Sequence, residues 1–191
     1  MVCRSMLVGS AILATSGAVA IGLNSAPVAY AAVNCVAGLG VTQNATTVTG
    51  TAGNDTIDCT GASPAKTVNG NGGDDTITGT AFADTLNGGT GNDTLTGAVG
   101  NDTLTGSAGN DTLKGDANSD TLNGSTGIDN LDGGTGADLI NGDENNDTLT
   151  GPPGDSAIDS LNGGANDALP GDVCTAGGAV PFTDVLTACN P

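Results

Sequence analysis

One aspartate recurs at every ninth residue through the middle of the chain. Residues 70 to 150 divide without a gap into nine blocks of nine residues, and the sixth position of every block is Asp. These residues are Asp75, Asp84, Asp93, Asp102, Asp111, Asp120, Asp129, Asp138 and Asp147. Ca²⁺ takes about six to eight oxygen ligands from carboxylates and carbonyls in flexible turns, whereas Mg²⁺ demands a stricter geometry. The spacing therefore predicts a row of calcium sites, and the alternative for any single Asp is a residue that caps its own turn.

Two further columns of the repeat indicate the elements that would position these carboxylates. The first position of every block is Gly and the eighth is Leu or Ile. A segment such as Thr-Leu-Thr suits a short strand, and a glycine-rich stretch of six residues suits a turn. Because side chains alternate along a strand, the eighth position faces inward and its neighbours face outward. The core is then formed by Leu86, Leu95, Leu104, Leu113 and their equivalents.

Two blocks make one coil of eighteen residues. Alternate blocks contribute their strands to two different parallel sheets, in which neighbouring strands are about 4.8 Å apart. At that spacing neighbouring carboxylates would repel each other by about 1 kcal/mol per pair in water. The fold class predicted is all-β, a parallel β-roll, and we expect it to form only with a bound cation.

Degenerate blocks flank the regular array. The block from Gly50 retains Asp55 and Ile57, whereas the block from Gly61 has Lys66 where Asp belongs. Downstream, residues 151–162 fit the period only with a three-residue insertion around Pro152 and Pro153. We therefore expect a signal segment over 1–31, an N-terminal cap with degenerate repeats over 32–69, the nine-repeat roll over 70–150, and degenerate repeats with a C-terminal cap over 151–191.

The nonapeptide resembles the G-G-x-G-x-D-x-U-x repeat of the RTX, or hemolysin-type, calcium-binding family of secreted bacterial proteins. The resemblance covers roughly residues 50 to 172. It implies a right-handed parallel β-roll in which about seven ions lie between the turns of repeats n and n+2. The implied ligands are the position-6 carboxylates and carbonyls of the glycine-rich turns. They are Asp55, Asp75, Asp84, Asp93, Asp102, Asp111, Asp120, Asp129, Asp138, Asp147, Gly88, Gly97, Gly106, Gly124 and Gly133.

The fourth position departs from this pattern in three blocks, where Phe82, Asn118 and Asn145 replace Gly. Asn tolerates a left-handed backbone and Phe does not. We therefore expect the turn around Phe82 to differ from the others.

The first thirty residues have the pattern of a secretory signal peptide. Arg4 precedes an apolar run from Met6 to Leu23, and Ala29-Tyr30-Ala31 fits a small-x-small cleavage site. We predict cleavage after Ala31, and the alternatives are cleavage after Ala20 or an uncleaved membrane anchor. Secretion is the predicted localisation, with no membrane insertion after cleavage.

Four cysteines remain after residue 31, two near each end: Cys35, Cys59, Cys174 and Cys189. Four cysteines allow three pairings. An oxidising compartment favours disulfides, and local closure costs less loop entropy, which favours Cys35 with Cys59 and Cys174 with Cys189. Free buried thiols are the alternative. These bridges would stabilise the two caps.

Composition excludes several classes of function. The net charge is −18, with only 3 Lys and Arg among 191 residues, so nucleic acid is not an expected partner. The chain has no His, and few residues separate the predicted cleavage site from Gly50, so we expect no enzyme. The predicted function is a secreted calcium-binding protein with a structural role in the cell envelope or matrix, its cell-surface or matrix partner unknown. The alternatives are a surface-binding, ice-binding or adhesive solenoid, and a non-catalytic accessory of a secreted enzyme.

Overall fold

The computed structural model describes residues 34–151, 159–164, 172–175, 185–187 and 189. These residues form strands and no helix, so the described part of the chain has no helix with the length and hydropathy to cross a membrane. The predicted signal peptide lies outside the described residues.

Short strands alternate with tight turns along the described chain. The first nine strands are β1 (Val36–Ala37), β2 (Thr42–Gln43), β3 (Thr47–Thr49), β4 (Thr56–Asp58), β5 (Thr67–Gly72), β6 (Thr76–Thr78), β7 (Thr85–Thr90), β8 (Thr94–Val99) and β9 (Thr103–Ala108). The others are β10 (Thr112–Ala117), β11 (Thr121–Thr126), β12 (Asn130–Asp132), β13 (Leu139–Glu144), β14 (Thr148–Thr150), β15 (Ser160–Asn162), β16 (Val173–Thr175) and β17 (Val185–Thr187).

The strands form two sheets, and the chain enters each sheet once per coil. The first sheet has the order β1-β4-β6-β8-β10-β12-β14-β16, and the second has the order β17-β15-β13-β11-β9-β7-β5-β3-β2. From β3 onward neighbouring strands are parallel, and Leu95 pairs with Leu113 as Leu104 pairs with Leu122. These partners are eighteen residues apart. The prediction of an all-β parallel roll built from eighteen-residue coils is confirmed, while its right-handed sense stays a prediction.

The eighth position of each repeat forms the core. From Val48 to Leu161 these aliphatic side chains are at most 1% exposed, and the Thr that precedes most of them is exposed. The core residues are Val48, Ile57, Val68, Ile77, Leu86, Leu95, Leu104, Leu113, Leu122, Leu131, Ile140, Leu149 and Leu161. The predicted inward column is therefore confirmed.

The N-terminal edges of both sheets are covered by antiparallel strands of two residues. β1 pairs with β4, and β2 pairs with β3. Disulfides join Cys35 to Cys59 and Cys174 to Cys189, as predicted. The first disulfide is buried in the core, so it ties the covering strand to the first coil. The predicted division at residues 69 and 150 stays a prediction, and parallel pairing crosses both positions, through β5 with β7 and β13 with β15.

Candidate metal centre

The position-6 side chains point into the roll, on the same side of the strand as the core residues. Because positions 6 and 8 are two residues apart, strand alternation places both inside. In the regular array these aspartates are 1 to 3% exposed, and Asp55 is 6% exposed. They form a first row beside the first sheet: Asp55, Asp75, Asp93, Asp111, Asp129, Asp147 and Asp172. The second row, beside the second sheet, is Lys66, Asp84, Asp102, Asp120, Asp138 and Asp159.

Hydrogen bonds connect each residue of a row to the next coil. The backbone N–H of Asp93 donates to Oδ1 of Asp111 at 2.7 Å, and the N–H of Asp102 donates to Oδ1 of Asp120 at 2.7 Å. The link continues across the C-terminal insertions, because the N–H of Asp138 reaches Asp159 Oδ1 at 3.0 Å. From Asp75 in the first row and Asp84 in the second, each carboxylate thus has one oxygen that accepts a hydrogen bond from the preceding coil.

The second oxygen of most row carboxylates is buried and accepts no hydrogen bond. This holds for Oδ2 of Asp75, Asp93, Asp102, Asp111, Asp120, Asp129, Asp147 and Asp172. An ionised oxygen removed from water without a partner is energetically costly.

The pKa values of the row aspartates reflect this burial. Loss of solvation is the largest cause, and it raises the pKa of Asp75, Asp102 and Asp111 to about 6. It raises the pKa of Asp120 and Asp147 to about 7, and repulsion from neighbouring carboxylates adds to the effect. The rows therefore hold negative charge that a cation would stabilise.

The position-1 glycines lie opposite these carboxylates. A Cβ on Gly97 would lie 2.5 Å from Asp102 Oδ2 and 2.9 Å from the carbonyl oxygen of Gly115 in the next coil. A Cβ on any other glycine of the predicted ligand set would likewise meet the Oδ2 of its own block; these are Gly88, Gly106, Gly124 and Gly133. The missing side chain leaves a cradle bordered by a carboxylate oxygen and, at Gly97 and Gly124, by a carbonyl oxygen from the next coil.

These oxygens fit a calcium ion. Within the described residues no three His, Cys, Asp or Glu side chains gather at one point, so an ion there would need backbone oxygens as well as carboxylates. Calcium accepts that mixture, and it needs no nitrogen or sulfur ligand. The residues that would hold it are the row aspartates and the position-1 glycine carbonyls, and their individual roles as ligands stay a prediction.

Two of the predicted ligands, Asp55 and Asp84, differ from the others. The backbone N–H of Thr51 donates to Asp55 Oδ2 at 2.6 Å and its hydroxyl donates to the same oxygen at 3.0 Å. The N–H of Thr80 donates to Asp84 Oδ2 at 2.5 Å, and its hydroxyl donates to Oδ1 at 3.1 Å. In these two blocks the Asp caps its own turn. Capping is the alternative to a role as calcium ligand for any single Asp.

The cause of the difference is the residue at the second position. In the other array blocks that residue has a positive φ, as in Ala98 (82°) and Asp116 (74°), whereas neither Thr51 nor Thr80 does. A β-branched side chain disfavours positive φ, so the turn folds back and its N–H points at the carboxylate. Phe82 also has no positive φ, while Asn118 and Asn145 do, which confirms that its turn departs from the pattern.

Sequence reasoning missed two members of the rows, Asp159 and Asp172. The signal was present, since Asp159-Ser160-Leu161-Asn162 has the Asp-x-Leu-x form once the insertion around Pro152 is allowed. Asp172 was obscured because its block has Cys174 in the core column, where it pairs with Leu149.

Comparison with known protein families gives one match. The RTX calcium-binding nonapeptide repeat model matches in four copies, over residues 42–58, 69–104, 96–131 and 123–151, which together cover just over half of the chain. No curated protein and no solved structure matches the chain. With the parallel roll, the two rows of buried carboxylates and this match, the chain belongs to the RTX calcium-binding nonapeptide repeat family.

Proposed function

We propose that the chain is a secreted, non-catalytic protein whose roll folds on binding calcium and serves as a structural element of the cell envelope or matrix. The observation that carries the proposal is the row of buried Oδ2 atoms without hydrogen-bond partners. Export is supported by the signal-peptide pattern before Ala31 and by two disulfides, which persist in oxidising compartments.

The chain's own residues prepare the rows for a cation. Backbone N–H groups orient one oxygen of each carboxylate, and the position-1 glycines keep the space beside the other oxygen open. Bound calcium would supply positive charge that neutralises carboxylates of successive coils. Because each such site joins neighbouring coils, folding should be cooperative, as in other solenoids.

The burial of the carboxylates also supports a non-catalytic role. A general acid or base must come within hydrogen-bond reach of its substrate. The array aspartates are 1 to 3% exposed and enclosed by turns, and the sequence has no His to act in their place.

Circular dichroism of the secreted chain, titrated from EGTA into calcium and separately into magnesium, tests the proposal. We expect calcium to convert coil to β-structure cooperatively and magnesium to do so weakly. A complete β-spectrum in excess EGTA at low salt would contradict it.

Adhesion to an uncharged surface is a second candidate function, favoured by the outer face of the second sheet. Thr67, Thr85, Thr103 and Thr121 lie in direct register and are exposed. Beside them runs a column of amides and hydroxyls: Thr49, Asn69, Asn87, Thr105, Asn123, Asn141, Asn162 and Thr187. Neither column carries a charge, although the chain has a net charge of −18.

Such a regular, uncharged face would suit ice or an uncharged polysaccharide. Thermal hysteresis and sedimentation with chitin or cellulose would test it, with Thr103→Lys on this face and Thr112→Lys on the first sheet as the control. Loss of binding in the first variant alone supports adhesion, and equal behaviour of the two variants contradicts it.

A further inference from the structure

Lys66 occupies a place in the second row where every other described member is Asp. It is 2% exposed, and its backbone N–H donates to Asp84 Oδ1, as the aspartates donate to the next coil. Its ammonium donates to the carbonyl oxygen of Ala45 in the preceding coil and to that of Ser63 in its own turn, the latter at 3.3 Å. The side chain thus joins turn carbonyls of two successive coils.

The ammonium also places a fixed positive charge at the start of a row of carboxylates. Burial lowers the pKa of Lys66, and the nearby charge of Asp84 acts in the opposite direction. Lys114, the other lysine, is half exposed and pairs with Asp116 at the surface. In the described part of the chain, Lys66 is therefore the buried cation.

The surrounding coil has other connections that require no metal. Define the N-terminal coil as residues 47–69, which contain β3, β4 and the first half of β5. The N–H of Thr67 donates to Thr46 O at 2.8 Å and the N–H of Gly50 donates to Asn69 O at 2.7 Å, so its second-sheet strands bond to each other. The Cys35–Cys59 disulfide links this coil to the segment that precedes it, and the N–H of Thr51 donates to the carboxylate of Asp55.

We infer that Lys66 replaces a calcium ion at the start of the second row, so that the N-terminal coil folds without calcium and templates the coils that follow. The inference rests on the proposed calcium-dependent folding for the remainder of the roll. In a solenoid each repeat is stabilised by its neighbours, so one preformed coil would give the next an edge on which to pair.

Hydrogen exchange of the secreted chain in EGTA tests the inference. We expect amides of residues 47–69 to exchange at least about tenfold more slowly than those of residues 103–126. In Lys66→Met that protection should be lost, whereas Lys114→Met, which removes the same charge, should retain it. Equal exchange of the two segments in the unmodified chain would overturn the inference.

The Lys66→Asp variant distinguishes a lysine that replaces a calcium ion from a lysine that only fills space. This variant should lose the EGTA protection, regain it in calcium, and bind about one more calcium ion by isothermal titration, while Lys66→Met should gain none. If Lys66→Asp binds no additional ion, the replacement is wrong even where calcium folds the roll. If calcium changes exchange nowhere, the proposed function fails and the inference fails with it. If calcium protects residues 103–126 but residues 47–69 are unprotected in EGTA, the inference alone fails.

Discussion

Replacing Asp120 by Asn should have opposite effects on the roll with and without calcium. Asp120 is 2% exposed and lies in the middle of the second row. Its Oδ1 accepts a hydrogen bond from Asp102 at 2.7 Å, and its own N–H donates to Asp138 at 2.8 Å. Its Oδ2 is buried and accepts none. Asn keeps an oxygen for the hydrogen bond from Asp102 and removes the charge.

The pKa of Asp120 sets the size of the effect without calcium. Desolvation, with repulsion from Asp102 and Asp138, raises the pKa from 3.8 to about 7. A tenfold change in proton affinity corresponds to about 1.4 kcal/mol, so keeping this carboxylate ionised at pH 8 costs at most about 4 kcal/mol. The Asn variant avoids that cost in the calcium-free roll. In calcium it would remove one of the predicted ligands, shared by two successive sites, so affinity and cooperativity should both fall.

Two measurements would detect these opposite effects on folding without calcium and on calcium binding. In EGTA at pH 8, trimethylamine N-oxide should drive the folding of the chain, and Asp120→Asn should need less osmolyte than the unmodified chain. In isothermal titration the same variant should bind calcium more weakly.

Asp116→Asn is the charge-matched control, because Asp116 lies at the second position of the same block and pairs with Lys114 at the surface. It should change both measurements little. Indistinguishable calcium stoichiometry and affinity in the two variants would refute either the repeat register or the role of the position-6 Asp.

Three further predictions concern pH, the glycine cradle and the disulfides. The raised pKa values of row carboxylates such as Asp102 and Asp147 mean that the calcium-free roll binds more protons than the unfolded chain between about pH 4 and 7. Its stability should fall as pH rises through that window, so in EGTA the β-signal should grow on acidification, and a loss would contradict the reasoning. Gly97→Ala should destabilise the calcium-loaded roll by about 1 to 3 kcal/mol, whereas Gly61→Ala, with nothing within 4 Å of the new Cβ, should be nearly neutral in thermal unfolding. Reduction of both disulfides should raise the calcium concentration needed for folding, since each bridge contributes about 3 kcal/mol in a chain-entropy account, and an unchanged midpoint would count against their role as caps.

The repeat made most of the fold predictable from the sequence. A strict period of nine with Leu or Ile at one position fixes which residues face inward, and an eighteen-residue coil follows when two blocks feed two sheets. The register of Leu95 with Leu113 is then a direct consequence of the period. The disulfide pairing could be favoured on loop entropy alone because the cysteines occur in two sequence-local pairs.

The exceptions within the rows were harder to predict, because they depend on contacts that a period does not contain. Thr80 is an ordinary residue for a turn, and its effect on Asp84 follows only when its φ and the direction of its N–H are known. Lys66 could be recognised as a departure from the repeat, whereas its bonds to Ala45 and Ser63 depend on how the preceding coil is stacked.

A single side chain therefore decides whether a turn of this roll depends on a cation. Where the second position has a positive φ, most turns leave Oδ2 buried without a donor, and its charge would oppose folding until a cation is bound. Where that position is Thr, the backbone itself satisfies the carboxylate. Where Lys replaces the Asp, the chain carries its own positive charge. The turns closed by the protein's own groups occur at Thr51, Lys66 and Thr80. Between them Asp75 already has an orphaned Oδ2, and toward the C-terminus orphaned oxygens occur on Asp93, Asp102, Asp111, Asp120, Asp129, Asp147 and Asp172. If the roll folds on calcium as proposed, this distribution gives it a direction, from an end held largely by the protein's own groups toward coils that would need calcium.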